Sequence, residues 1–95
     1  MPSYRLILTV ANVFPGTDPS QVLPLAARAL GKHANVESFD LRITRNSPQL
    51  VLRYTCADKA EAKTCAYRAE LEISGFIEVT RAQTLQRVHN RWEYI

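Results

Sequence analysis

Two cysteines, two histidines and a scatter of arginines carry the most obvious chemistry in this chain, and their spacing decides how much of it is open. Cys56 and Cys65 are the only cysteines and form no Cys-x-x-Cys pair. Without a third and fourth ligand at a fitting distance in sequence, they read as inert buried thiols rather than a metal or redox centre. His33 and His89 stand alone in polar stretches and read as surface residues. No spacing marks a catalytic triad, a metal cage or a phosphate loop, so no catalytic residue, metal ligand or cofactor is expected. The arginines remain: Arg5, Arg42, Arg53, Arg87 and Arg91 are the candidate contacts for a nucleic-acid backbone.

Composition bounds the rest. At 95 residues and 46% hydrophobic, the chain has material for one core. A domain this small buries about 60% of the surface of its unfolded chain, so an added partner interface would steady it. Twelve Lys and Arg against nine Asp and Glu give a net charge of +3, spread rather than clustered, which is the balance of a slightly basic protein. Two cysteines are too few for a disulfide scaffold, and a reduced, cytoplasmic protein is expected. The apolar run Leu6–Ala11 is too short for a signal-peptide core, and no stretch approaches the length of a membrane span.

The elements that must position these side chains follow from periodicity. Tyr4, Leu6, Leu8 and Val10 alternate with Arg5, Ile7 and Thr9, the period of a strand. Pro15-Gly16 suits the loop that follows. Asp18 is placed to cap a helix with Pro19 at its start, and Val22, Leu25, Ala26, Ala29 and Leu30 make its apolar stripe. Pro24 predicts either a kink or a short first turn ahead of the main helix. Phe39, Leu41 and Ile43 alternate with Asp40, Arg42 and Thr44 as a half-buried second strand, broken at Asn46, Ser47 and Pro48. Leu50, Leu52, Tyr54 and Cys56 form the third strand, joined to the second as a hairpin. Asp58 and Glu61 cap a second helix with the small-residue stripe Ala62, Cys65, Ala66, Ala69 and Ile73, which Gly75 is expected to end in a left-handed conformation. Phe76–Thr80 is the fourth strand.

The order strand, helix, strand, strand, helix, strand resembles the ferredoxin-like α+β sandwich. That resemblance implies an antiparallel four-stranded sheet in the order four, one, three, two, with both helices on one face. It is a resemblance of fold alone and implies no chemistry. Heavy-metal-binding modules of this fold carry two cysteines in the first loop, where Val13–Asp18 has none. Acylphosphatase-like enzymes carry an arginine among glycines there, where Phe14, Pro15 and Gly16 stand without a cation. RNA-recognition motifs set aromatic residues on the open face of the sheet, whereas Tyr4 and Tyr54 fall on the helix side. The open face would carry Arg5, Ile7, Thr9, Arg42, Thr44, Val51, Arg53 and Thr55, opposed by Asp40 and Glu78.

The tail gives the strongest lead. Leu85, Val88, Trp92 and Ile95 recur at heptad-like spacing, with Thr80 and Gln83 as a third capping pair, so an amphipathic helix is expected, with a short extra strand over Arg91–Ile95 as its rival. Residues 1–81 would then be the α+β domain and 82–95 its C-terminal extension. The apolar stripe needs cover, either from the chain's own sheet or from a second copy. Leu85, Val88, Trp92 and Ile95 are accordingly the candidate partner interface.

These observations support a small, non-enzymatic binding or assembly module acting as a homodimer. Weak RNA or single-stranded DNA binding through the arginine-bearing face is one alternative. A dimeric α/β-barrel enzyme or small-molecule binder, with a pocket between two sheets, is the other.

Overall fold

The computed structural model describes residues 1–45 and 47–95. Among them, two α-helices and one antiparallel sheet of five strands make an α+β fold. The strands are β1 (Ser3–Val13), β2 (Asn35–Thr44), β3 (Ser47–Thr55), β4 (Ile77–Val88) and β5 (Arg91–Tyr94), lying side by side in the order β2-β3-β1-β4-β5. The helices are α1 (Val22–Gly31) and α2 (Lys59–Ile73). Five strands replace the expected four because the tail adds one.

One face of the central strands meets both helices. Tyr4, Leu6, Leu8 and Val10 of β1 and Leu50, Leu52 and Tyr54 of β3 join one buried cluster with Ala26, Ala29 and Leu30 of α1. Ala62, Cys65, Ala66, Ala69 and Ile73 of α2 complete it, the stripe anticipated from the sequence. Most of the side chains that α2 buries are small, and the large ones beneath it, Tyr4 and Tyr54 among them, come from the sheet.

Local chemistry sets the helix ends. Asp18 accepts from the Ser20 amide, and a short 3-10 turn over Pro19–Gln21 leads into α1. Pro24 then falls in the first turn of α1, where backbone amides have no intrahelical acceptor, and the ring costs no hydrogen bond. Asp58 accepts from the Glu61 amide at 2.8 Å and caps α2. Gly75 does not take the expected left-handed conformation; among the glycines only Gly16 has positive φ, at 93°. Gly75 instead ends α2 by donating to the Glu72 carbonyl, and a Cβ there would approach that oxygen to 3.1 Å.

β2 ends at Thr44 and forms the expected hairpin with β3, but Ser47 and Pro48 belong to β3 rather than to the break, Ser47 facing Thr44 across the ladder; Asn46, expected in the same break, lies outside the described residues. In the tail no helix forms, and Thr80 and Gln83 cap nothing. β4 continues through Arg81 and Ala82 to Val88, and His89 and Asn90, both at positive φ (54° and 85°), turn the chain into β5. Two consecutive left-handed residues match the right-handed twist of paired strands, and asparagine tolerates that conformation.

Candidate interaction surfaces

The open face of the sheet is built by alternation on β1. Arg5 lies opposite Arg53 of β3 and Leu85 of β4, and Ile7 lies opposite Val51 and Gln83. Leu85 in turn faces Tyr94, and Arg87 faces Trp92. Arg5, Arg53, Arg87, Leu85, Trp92 and Tyr94 therefore share this face. Trp92 lies among cations, with the Arg5 guanidinium 4.1 Å and the Arg53 guanidinium 5.5 Å from its ring centre. Their planar, weakly hydrated heads supply both apolar cover and attraction to the ring. Burial, then the charges of Arg53, Arg42 and Arg87, push the Arg5 guanidinium below its usual pKa. Among the described residues, Arg53 is shut off from solvent at Nε without a hydrogen bond, and a loose ion pair with Glu37 at 3.6 Å answers it.

The predicted residues divide accordingly. Arg5, Arg42, Arg53 and Arg87 come together on the open face, Arg42 reaching it beside Gln49, to which it donates. Arg91 does not join them: it alternates to the helix side and pairs with Glu93 at 3.3 Å. The tail residues also part company. Leu85 is buried within the chain and Trp92 half-buried on the open face, while Ile95 packs against the helix-side core. Val88 alternates to the helix side with Arg91.

The other surface is β2, whose sequence promised half-burial and whose structure does not supply it. Phe39, Leu41 and Ile43 face the helix side opposite Leu52, Leu50 and Pro48, yet are 48%, 51% and 65% exposed. β2 is an edge strand, and its outer row is left largely uncovered. Its free backbone edge is marked by Leu41, whose N–H is satisfied by the side chain of its own neighbour Asp40 at 2.9 Å. Leu41 also borders an apolar cleft of about 160 Å³, shared with Val10, Val13, Pro19, Val22, Leu23, Pro48 and Leu50.

Cys56 and Cys65 meet as expected of buried thiols. Cys56 donates to the Cys65 sulfur at 3.8 Å, and Cys65 donates to the His33 carbonyl at 3.3 Å. Burial, then the bond to Cys65, pushes the Cys56 thiol up to about 12. A Glu61 oxygen and the two sulfurs all lie within 4.8 Å of one another. His89 sits exposed in the β4–β5 turn.

The β5 strand was read from the sequence only as the rival to a tail helix, and the exposure of β2 was not drawn from it at all. The turn pair His89-Asn90 was the available signal for the first. The second had none, because alternation tells which way a side chain points and not whether anything lies there.

No helix among the described residues is long and apolar enough to cross a membrane. No protein-family model matches this chain. No curated protein matches it. A solved structure titled "Structural Genomics, protein YJCS" is similar over 86% of this chain and 95% of that one, at 8% identity and a TM-score of 0.46, a likeness too distant to carry any argument about function.

Proposed function

We propose that this chain is a small, non-catalytic binding or assembly module of the cytoplasm, built on a ferredoxin-like α+β sandwich and working as a homodimer. One observation carries this reading: a row of three large apolar residues, Phe39, Leu41 and Ile43, stands exposed along an unpaired strand edge. Soluble proteins blunt such edges with charge, proline or cover, and an edge left apolar is a docking surface. The expected partner surface thus moves from the tail, whose apolar residues are largely used within one chain, to β2. Pairing at the edge also leaves the open face of each sheet free, unlike a barrel in which two sheets enclose a pocket. Sedimentation equilibrium on the intact chain tests it: a mass near twice 10.8 kDa at micromolar concentration supports the homodimer, and 10.8 kDa up to millimolar concentration contradicts it.

A second reading is favoured by Trp92 and Tyr94. Single-stranded nucleic acid is held by cations that follow its backbone and aromatic rings that stack on its bases. The β5 strand sets both rings beside Arg5, Arg53 and Arg87. Fluorescence anisotropy with a labelled oligonucleotide should then give binding that weakens steeply with salt and is reduced by Arg5→Ala. No anisotropy change at low salt removes this reading.

A further inference from the structure

We infer that two copies of this chain pair through β2 in one register, antiparallel, with Leu41 opposite Leu41 of the second copy. The inference rests on the homodimer proposed above and adds the residues that specify it. Reading β2 outward from Leu41, the flanking residues are Asp40 and Arg42, then Phe39 and Ile43, then Ser38 and Thr44. Antiparallel pairing about a two-fold axis at Leu41 sets each member of such a pair against the other member in the second copy. Asp40 meets Arg42 twice over, Phe39 meets Ile43 twice, and Ser38 meets Thr44. Every opposition is complementary.

The neighbouring registers are not. A shift that centres the axis on Asp40 sets two carboxylates face to face, and one that centres it on Arg42 sets two guanidinium groups face to face; like charges directly opposite destabilise a strand pair. A shift by a single residue would put the helices of the two copies on opposite faces and exchange apolar for charged neighbours.

The backbone agrees with this register. The Leu41 N–H goes to the Asp40 side chain rather than to β3, so Leu41, and by alternation Phe39 and Ile43, direct their N–H and C=O groups to the free edge. These are the residues that would exchange hydrogen bonds across the axis. Asp40 and Arg42 would occupy the intervening positions, where facing side chains come closest. The one irregularity of β2, its bulge between Val36 and Ser38, ends where this segment begins. The seven residues Ser38–Thr44 are regular and centred on Leu41.

Charge reversal tests the register. Asp40→Arg and Arg42→Asp alter exposed side chains, so each variant should fold, as circular dichroism will show. Each alone opposes like charges at both pairs, and its dissociation constant should rise at least about tenfold. The two variants mixed, and the double variant, should regain the affinity of the parent. Single variants that dimerise like the parent, or a mixture that stays dissociated, would overturn the register while leaving the homodimer standing. A parent that is monomeric throughout would overturn both.

Discussion

Arg5 holds its guanidinium carbon 4.1 Å from the centre of the Trp92 ring, so the first and last strands of the sheet's chain order are tied together across β4. β5 is only four residues long and pairs on one side alone, which makes this contact a large share of what holds it. Trp92→Ala should destabilise the protein by about 1 to 2 kcal/mol in urea unfolding. Combined with Arg5→Ala, the losses should fall short of additive by about 0.5 to 1 kcal/mol. Full additivity would mean that the two residues do not cooperate.

Tyr4 and Tyr54 are neighbours in the core with opposite prospects. Their ring centroids are 5.8 Å apart and both are fully buried. The Tyr54 hydroxyl donates to the Ala62 carbonyl at 2.8 Å and so joins β3 to α2, whereas the Tyr4 hydroxyl has no partner among the described residues. Tyr54→Phe should cost about 1 kcal/mol, and Tyr4→Phe should be neutral within about 0.5 kcal/mol or slightly stabilising, because it removes a buried polar atom that makes no bond. Thermal unfolding of the two variants side by side checks the order.

The buried Cys56 thiol and the two buried phenols predict an alkaline limit to stability. Cys56 is raised from 9.0 to about 12, chiefly by burial, and burial raises Tyr54 and Tyr4 as well. A group whose folded pKa lies above its unfolded value favours the folded state fully below the unfolded value, and that contribution is lost as pH rises through the folded one. Stability should therefore hold level up to about pH 9 and fall beyond it. Urea midpoints measured from pH 7 to pH 11 report this, and a level profile throughout would contradict the burial of these groups. The same burial should keep both cysteines from reacting with a thiol reagent at pH 8 until urea is added.

Much of this architecture was legible from residue order. Tyr4, Leu6 and Leu8 pointed to the helix side, and the stripe from Ala62 to Ile73 named the buried face of α2 without error. Both succeed because a period of two or of 3.6 has only one way to bury its apolar members. The tail failed for the same reason: Leu85, Val88, Trp92 and Ile95 fit a helical period, yet as strands they divide between two faces, and the pairing partner that favours β4 lies some eighty residues away in β1. Long-range pairing overrides local spacing, and no window of sequence contains it. The exposure of Phe39, Leu41 and Ile43 was hidden likewise, since it depends on what packs over the strand and not on β2 itself. The candidate site moved with it, from Trp92 to the opposite edge of the sheet.

The most direct test of the account is amide hydrogen exchange at Phe39 and Ile43, followed by nuclear magnetic resonance at increasing concentrations of the intact chain. In a lone chain both amides face the open edge and exchange as fast as exposed loop positions. Pairing of β2 with a second copy predicts protection that grows with concentration at these two residues and is abolished by Asp40→Arg. Fast exchange at every concentration, with the amides of β1 fully protected, would contradict it.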